Sequence, residues 1–212
     1  MPGASGVRMG GPLLGRKPGK LIAIEGIDQA GKKTQTRLLA MDLRREGYPV
    51  SVWEFPDYTT PLGKQLKAYL AGKSHLDFRA VHLLYAANRW EVAEKFEREI
   101  RSGMNVLVNR YWPSNLAYGT SHGLPVEWLS CLDQGLPKPY LVIILDISPR
   151  TSLIRKTEAR DVYEGDLGYL KNVRRAYLRL ARRYGWKVVD GERDSTTIQS
   201  ELRGMVVDAI QP

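Results

Sequence analysis

The sequence predicts an α/β fold in which a five-stranded parallel sheet lies between two layers of helices. Short apolar runs rich in β-branched residues alternate along the chain with longer segments of helical periodicity. The runs are apolar at consecutive positions, which is typical of strands buried on both faces of a parallel sheet. A length of 212 residues, 43% of them hydrophobic, suits one globular domain.

Each predicted strand is a short apolar run, and the five runs lie at 21–24, 50–55, 105–108, 141–146 and 187–190. Gly26 follows the first strand closely, and Pro56 closes the second. The predicted helices cover 32–46, 61–71, 78–101, 126–133, 151–157, 169–184 and 196–209. Gly47 ends the first helix, because glycine readily adopts the backbone conformation that terminates helices. In such sheets, ligands bind at the carboxyl ends of the strands.

The first 20 residues differ from the rest of the chain. They contain repeated glycine and proline, four basic residues and no acidic residue. This composition predicts a flexible N-terminal tail over 1–20. No linker or internal repeat is evident after residue 20, so residues 21–212 are predicted to form a single domain.

The composition of the chain argues against several classes of protein. The longest uninterrupted apolar run, 141–145, is far shorter than the ~20 residues that a membrane-spanning helix needs. The single cysteine, Cys131, excludes an internal disulfide and a cysteine zinc cluster, and we expect it to be a small buried hydrophobe. The three histidines lack the spacing of a metal site. With no segment resembling a secretory signal, we expect a cytoplasmic protein without a membrane partner.

The turn after the first strand carries the most specific local motif. It reads Gly26, Ile27, Asp28, Gln29, Ala30, Gly31, Lys32, Lys33 and Thr34, between a predicted strand and a predicted helix. This is the phosphate-binding P-loop pattern in its strand–loop–helix context. The glycines let backbone N–H groups turn around phosphate oxygens, the helix N-terminus adds positive charge, and Lys32 reaches the β- and γ-phosphates. The motif predicts a site for the phosphates of ATP, with an ordinary glycine turn as the alternative.

Lys33 departs from the P-loop pattern. The pattern has Ser or Thr after its lysine, and that hydroxyl ligates Mg²⁺. A lysine ammonium has no lone pair for a metal. Thr34 would reach the metal only if the loop shifted in register. The ammonium of Lys33 either replaces part of the metal's charge or projects into solvent.

Further blocks of sequence resemble the thymidylate kinase family, P-loop NTPases that phosphorylate dTMP. The blocks are Glu25-Gly-Ile-Asp28 with the P-loop, Phe55-Pro56, Ala87-Asn-Arg-Trp-Glu91, Arg110-Tyr111 and Gly135-Leu-Pro-Lys-Pro139. The resemblance extends from Leu21 to about Ile210. It implies a P-loop NTPase fold with a small mobile lid, ATP and dTMP as substrates, Mg²⁺ bound with ATP, and a homodimer to which helix 78–100 could contribute.

The resemblance also implies which residues bind dTMP. Tyr85 and Arg89 are one helical turn apart, so both can face one cleft, where Tyr85 would stack on thymine and Arg89 would contact the nucleotide. Arg110 corresponds to the residue that binds the monophosphate. The other acceptor residues that the resemblance implies are Asp28, Phe55, Asn109, Ser114, Tyr118 and Tyr163. The alternatives are core packing for Tyr85 and Phe55, and a structural ion pair for Arg89.

Asn109 is a second departure at a position associated with the metal. The family pattern has an aspartate there, which helps to position Mg²⁺ and nucleotide, whereas asparagine carries no charge. We hypothesise that no protein side chain is the main ligand of Mg²⁺ here. It would be held by nucleotide oxygens and water near Asp28 and Asn109, with Lys33 sharing its electrostatic task.

The segment 150–168 resembles the lid that closes over ATP in nucleotide kinases. Arg155 and Arg160 are candidates to stabilise the transferring γ-phosphoryl group, because Gln29 stands where some family members have a P-loop arginine. Val162 replaces an arginine of the usual lid motif, and a solvated basic face is the alternative for this segment. The predicted catalytic set is Lys32, Asp28, Arg110, Arg155 and Arg160.

The formal net charge of +9, from 32 basic and 23 acidic residues, indicates an anionic partner: nucleic acid, a membrane surface or a phosphorylated small molecule. The excess lies in the tail and in residues 150–183, which carry ten basic and four acidic residues. A charged lid is explained by the triphosphate that it would cover, so we expect no nucleic-acid partner.

The leading hypothesis is therefore a dTMP kinase, which transfers the γ-phosphoryl group of ATP to dTMP and yields dTDP for dTTP biosynthesis. A kinase for another nucleotide or a deoxynucleoside, a nucleotide-binding homologue with little activity, and a nucleic-acid-binding module are the alternatives. Arg89 and Arg110 favour a charged monophosphate acceptor.

Overall fold

The computed structural model describes residues 17–155 and 166–211. Within them a parallel five-stranded sheet has the order β2-β3-β1-β4-β5. The strands are β1 (Leu21–Glu25), β2 (Val50–Glu54), β3 (Asn105–Asn109), β4 (Leu141–Asp146) and β5 (Lys187–Asp190). The central strands β1 and β3 are buried at every position, which explains their consecutive apolar residues. The predicted parallel sheet is confirmed.

Helices connect the strands and cover the sheet. They are α1 (Lys32–Arg45), α2 (Pro61–Leu70), α3 (Phe78–Trp90), α4 (Ala93–Arg101), α5 (Trp112–Ser121), α6 (Val126–Leu132), α7 (Pro149–Arg155), α8 (Leu167–Tyr184) and α9 (Ser195–Ile210). α1 packs against β1, β2, β3 and α9, whereas α8 packs against β4, β5 and α5. The buried core contains residues of the sheet and of the helices on both of its faces, and it fixes the sheet edge at which the site lies.

Three local predictions are wrong. The single helix over 78–101 is two helices, because Val92 between them leaves the helical conformation, with φ −117° and ψ 4°, and packs against the core. α5 was not predicted as a helix, since its Gly, Ser, Thr and Asn have low helix propensity; burial of Leu116 and Ala117 stabilises it. Cys131 is exposed rather than buried, because it lies two positions after the buried Leu129 and faces the other side of α6.

The predicted tail (1–20) and lid (150–168) fall only partly within the described ranges. Residues 1–16 and 156–165 lie outside them, and with them Arg160, Val162 and Tyr163. The boundaries of tail and lid therefore stay predictions. In the part of the chain that the structure describes, no helix is long and apolar enough to cross a membrane.

Candidate active site

The carboxyl ends of β2, β3 and β1 meet at one edge of the sheet. The strand register pairs Glu54 with Asn109, and Asn109 with Ile24. The P-loop leaves β1 at this edge and Arg110 directly follows β3. The topology thus brings the two predicted phosphate-binding segments together, where open parallel sheets bind ligands.

The P-loop makes a sharp turn between β1 and α1. Gly26 and Gly31 have φ values of +136° and +87°. A Cβ on Gly26 would lie 2.4 Å from the carbonyl oxygen of Leu145, so only glycine fits there. The buried Lys32 folds back over the loop, and its Nζ donates to the carbonyl oxygen of Ile27 at 2.7 Å. This arrangement places a lysine at a helix N-terminus, where anions bind favourably.

Lys32 lies in an environment that disfavours its positive charge. Burial and, to a smaller extent, the nearby Arg110 lower the pKa of Lys32 from its ordinary 10.5 to about 7. Asp28, Glu25 and Glu54 act in the opposite direction but do not compensate. The phosphates of a bound nucleotide would add negative charge beside Lys32 and so favour its charged form.

Asp28 and Arg110 form an ion pair between the P-loop and the end of β3. Arg110 Nη2 lies 2.5 Å from Asp28 Oδ1, and Tyr118 Oη donates to Asp28 Oδ2 at 2.8 Å. Arg110 Nη1 donates to Ser114 Oγ at 3.2 Å. Burial opposes the ionisation of Asp28, but Arg110 and Lys32 outweigh it and keep the pKa of Asp28 below its ordinary value. These predicted site residues form one connected network.

Glu25 has a role at the site that the sequence did not indicate. It is fully buried at the end of β1, where its Oε1 accepts from the backbone N–H of Tyr111 at 2.7 Å. Its Oε2 accepts from Ser114 Oγ at 2.6 Å and from Tyr177 Oη at 2.9 Å. Burial raises the pKa of Glu25, and these hydrogen bonds oppose the rise. Glu25 thereby fixes the segment that carries Arg110.

A pocket lined mainly by aromatic side chains opens beside the Asp28–Arg110 pair. Its walls include the predicted Phe55, Tyr85, Arg89, Ser114 and Tyr118, together with Pro56, Tyr58, His82, Asn115, His122 and Tyr169. Phe55 is only 4% exposed and packs on Tyr111 with ring centroids 5.9 Å apart, so it belongs to both the core and the pocket wall. The pocket suits a flat ring that is attached to an anionic group.

Arg89 takes part in a structural ion pair and also lines the pocket. Its Nε and Nη2 donate to the two carboxylate oxygens of Asp133 at 2.7 and 2.8 Å, with both side chains almost fully buried. The neighbouring Asn88 accepts from the N–H of Asp57 and donates to Thr60 Oγ1, each at 2.8 Å. This block of α3 therefore fixes the pocket walls. Contact of Arg89 with a nucleotide stays a prediction.

Two histidines line the pocket without having been predicted as site residues. His82 Nδ1 lies 2.6 Å from Asn115 Oδ1, and His82 Nε2 lies 3.1 Å from His122 Nδ1. Burial lowers the pKa of both rings to about 4, so both are neutral at pH 7. They offer the pocket uncharged hydrogen-bonding groups. A lone histidine carries no sequence signal for such a role, since its partner is 40 residues away.

Lys33, Glu54 and Asn109 form a second cluster at the same sheet edge, which we call the β2–β3 cluster. Lys33 is 80% exposed and its Nζ lies 3.2 Å from Glu54 Oε2. Asn109 Nδ2 donates to Glu54 Oε1 at 3.0 Å. The buried Oδ1 of Asn109 has no hydrogen-bond partner among the described residues. Thr34, the next residue, is likewise exposed.

Arg155 docks on the P-loop through backbone oxygens. Its Nη2 donates to the carbonyl of Gly191 at 3.0 Å, and its Nη1 reaches the carbonyl of Gln29 at 3.4 Å. In the same helix, Ser152 Oγ donates to the carbonyl of Asp28 at 2.8 Å. α7 is therefore anchored to the P-loop, while contact of Arg155 with a γ-phosphoryl group stays a prediction.

Comparison with known proteins decides the family. A family model described as thymidylate kinase matches residues 24–202. The chain belongs to the thymidylate kinase family. Over 98% of its length it is 34% identical to the thymidylate kinase of Arabidopsis thaliana, of which it covers 78%. It is 32% identical to that of Homo sapiens, with 93% of this chain and 94% of that one covered. The solved thymidylate kinase of Candida albicans superposes with a TM-score of 0.80 at 28% identity, over 90% of this chain and 92% of that one.

Membership in the thymidylate kinase family confirms the predicted P-loop NTPase fold and the predicted kinase function. Membership in the family implies that ATP is the co-substrate and that Mg²⁺ accompanies it. In this family member, Lys33 has no lone pair for a metal, whereas Glu54 and the unpartnered Oδ1 of Asn109 are oxygen acceptors. These oxygens fit a hydrated Mg²⁺, which characteristically keeps several waters when bound.

Proposed function

We propose that the chain transfers the γ-phosphoryl group of ATP, bound with Mg²⁺, to dTMP and releases ADP and dTDP. The observation that carries this assignment is the Asp28–Arg110 pair, which lies at the aromatic pocket and beside the P-loop. Arg110 is close enough to Lys32 to lower its pKa. An acceptor phosphate on Arg110 and a donor phosphate on Lys32 would therefore be neighbours.

The pocket accounts for recognition of the acceptor. Tyr85 and Phe55 would enclose the base, and Arg110 would bind the monophosphate through charge-assisted hydrogen bonds. Asp28 and Tyr118 hold Arg110 in place and lie where the sugar would sit. Arg89 lines the same wall while Asp133 fixes its orientation. These residues order the acceptor before the donor phosphate is attacked.

The reaction needs positioning and charge neutralisation more than proton transfer. An oxygen of the dTMP phosphate attacks the γ-phosphorus, and the bond from that phosphorus to the β–γ bridging oxygen breaks as ADP leaves. The attacking phosphate is already anionic, so no strong general base is required. The P-loop N–H groups and Lys32 would neutralise the phosphates, with Arg155 and Arg160 of the lid added on closure. Bound Mg²⁺ would supply further neutralisation of phosphate charge.

A phosphorylation assay tests this function. We expect turnover with dTMP to exceed turnover with dUMP, dCMP and thymidine, and to require Mg²⁺. Faster turnover of another monophosphate would assign a different acceptor. If calorimetry detected binding of dTMP but no dTDP formed, the chain would instead be a nucleotide-binding protein. This outcome is tested because Lys33 and Asn109 depart from the family pattern at positions associated with Mg²⁺.

A homodimer is part of the proposal, and an apolar face of α3 supports it. Ala80, Leu83, Ala87 and Trp90 follow each other at helical spacing along that face, with Leu83 49% and Trp90 43% exposed. We expect light scattering to give a dimer mass, and Leu83→Glu to give a monomer. Val188→Glu, at an exposed position of β5, is the matched control and should remain dimeric. A monomeric native chain would contradict this assignment.

We also place the enzyme in the cytoplasm, and the single cysteine supports a reducing compartment. Fractionation of the source cells tests this placement, with the chain expected in the same fraction as other nucleotide-synthesising enzymes.

A further inference from the structure

Glu54 occupies a position at which the active site needs a negative charge. It ends β2, and the register places it directly beside Asn109 of β3. The resemblance to thymidylate kinases leads us to expect an aspartate at position 109 and a hydroxyl at position 33. Here an asparagine and a lysine stand there instead, and both contact the same Glu54 carboxylate. The carboxylate is thus supplied by the neighbouring strand.

Asn109 presents a second oxygen that lacks a partner. Asn109 is only 6% exposed, and its Oδ1 has no hydrogen-bond partner among the described residues. Its Nδ2 donates to Glu54, so a flipped amide would turn its oxygen toward a carboxylate and be repelled. Leaving a buried acceptor unsatisfied costs about 1–3 kcal/mol, which favours a hydrogen-bond donor at this position.

Lys33 contributes a cation that is easily displaced. Its side chain is 80% exposed and that of Glu54 is 46% exposed. Exposed ion pairs of this kind stabilise a protein by only about 0–1 kcal/mol. A divalent cation at the same carboxylate would therefore compete successfully with the ammonium. Since Lys33 cannot ligate a metal, its contact with Glu54 is suited to neutralising the carboxylate when no metal is present.

We propose that Glu54 and Asn109 Oδ1 hold the hydrated Mg²⁺ of the donor nucleotide by accepting hydrogen bonds from its waters, and that Lys33 is the counter-ion of Glu54 which the metal displaces. This inference rests on the proposed function, in which MgATP binds at the P-loop. Glu54 is then a positioning residue for the metal, in place of the aspartate that the family pattern has on β3.

Metal affinity, rather than turnover, tests the inference. Mn²⁺ replaces Mg²⁺, ADP is the nucleotide, and the electron paramagnetic resonance signal of free Mn²⁺ reports binding to the full-length protein. We expect Glu54→Gln to weaken Mn²⁺ binding in the ADP complex by about 10-fold or more, the scale known for residues that act through a metal's surroundings. Glu94→Gln, an exposed glutamate of α4, is the matched control and should leave Mn²⁺ affinity unchanged.

Lys33→Met provides the opposite test. Removing the competing cation should strengthen Mn²⁺ binding by up to about 5-fold, the equivalent of an exposed ion pair. The double variant Lys33→Met/Glu54→Gln should bind Mn²⁺ as weakly as Glu54→Gln alone, because the effect of Lys33 acts through Glu54. Weaker Mn²⁺ binding in Lys33→Met would overturn the role of Lys33 as a displaced counter-ion.

The same experiment separates failure of this inference from failure of the proposed function. Equal Mn²⁺ affinity in the native chain and in Glu54→Gln, with dTMP kinase activity retained, would reject Glu54 as a positioning residue and leave the kinase assignment intact. Absence of ADP binding to the native chain, measured by calorimetry with EDTA present, would reject the donor site and the inference together. A third outcome concerns Lys33 itself. If the loss of metal-free ADP affinity in Lys33→Met were larger than the change of Mn²⁺ affinity in Glu54→Gln, Lys33 would replace the metal's charge, and the inference would be overturned.

Discussion

The proposed acceptor side and the proposed metal side, which is the β2–β3 cluster, lie at one sheet edge but are stabilised differently. On the acceptor side, Asp28 and Arg110 are half-buried, Glu25 is fully buried, and all three are hydrogen-bonded to each other or to neighbouring hydroxyls. In the β2–β3 cluster, Lys33 is exposed, Glu54 is half exposed, and Asn109 keeps an oxygen without a partner among the described residues. The polar groups of the proposed acceptor side thus have partners within the protein, whereas the β2–β3 cluster leaves a buried acceptor without one among the described residues.

This difference has an energetic consequence. Removing one member of a buried charge pair leaves its partner desolvated and unpaired, which costs stability as well as binding. Removing an exposed charge changes stability little, because water already solvates the partner. Substitutions on the acceptor side should therefore affect folding and function together, and those in the β2–β3 cluster should affect function more than folding.

The largest expected effect comes from Arg110→Ala. The variant loses the acceptor-phosphate contact and leaves the half-buried Asp28 without its ion pair. We therefore expect kcat/KM for dTMP to fall by about 10²- to 10³-fold, the scale seen when one donor that stabilises a reacting anion is removed. Steady-state kinetics with dTMP as the varied substrate measures the effect. Arg110→Lys keeps the charge without the planar fork and should lie between native and Arg110→Ala. A loss below 10-fold would remove Arg110 from the acceptor site.

Glu25→Ala and Glu54→Ala compare the two regions directly. The first leaves the N–H of Tyr111 and the hydroxyls of Ser114 and Tyr177 without their shared acceptor, and should lower the free energy of unfolding by about 3 kcal/mol. The second removes a half-exposed carboxylate that also accepts from the buried Asn109 Nδ2, and should lower it by about 1 kcal/mol. Denaturant unfolding measures both. Equal losses would show that the two regions do not differ in how they are stabilised.

Sequence patterns predicted the elements whose signals are local. The five strands follow from apolar runs, and the P-loop from nine consecutive residues between a strand and a helix. The closeness of Asp28 and Arg110 could also be expected, although they are 82 residues apart in sequence. Both follow strands of a parallel sheet, and the carboxyl ends of such strands lie at the same edge. For these features, the apolar runs that mark strands and the rule that ligands bind at the carboxyl ends of parallel strands were enough.

Features that depend on distant partners could not be predicted in the same way. Arg89 is paired with Asp133, 44 residues away, and nothing in either segment indicates the other. α5 is a poor helix former whose Gly119 lies so close to Leu129 that a Cβ would come within 2.6 Å of it. Its helical state is stabilised by packing against α8 and α6. The role of Glu25 could not be predicted, because burial of a carboxyl group at the end of a strand depends on three hydroxyl and N–H donors from other elements.

The pH dependence of nucleotide binding tests the link between the two regions, since Lys32 lies between them. In the free enzyme the pKa of Lys32 is about 7, lowered by burial and by Arg110. Bound phosphates favour the charged ammonium, so above pH 7 binding must take up a proton and the Kd for ADP should rise. The rise should approach about tenfold per pH unit between pH 7.5 and 9, roughly 30-fold in all.

Calorimetry with EDTA present measures this slope without metal. Below about pH 7 Lys32 is already protonated and contributes no pH dependence. Lys32→Met should bind ADP weakly at every pH and lose the slope above pH 7.5. Retention of the full slope in that variant would assign the proton to another group, and a flat profile in the native chain would show that Lys32 keeps its charge despite its burial.

The smallest effect is expected at the pocket wall, where Tyr85 contributes a ring surface rather than a charge. Stacking of a base on an aromatic side chain is worth about 1–3 kcal/mol, so Tyr85→Leu should raise the Kd for dTMP by about 10-fold. Tyr85→Phe keeps the ring and should remain within about 2-fold of the native chain, since only a hydroxyl is lost. The Kd for ADP should not change in either variant, because Tyr85 does not line the P-loop. If Tyr85→Leu weakened ADP binding as much as dTMP binding, Tyr85 would act by supporting the fold, and the aromatic wall would belong to the core rather than to the acceptor site.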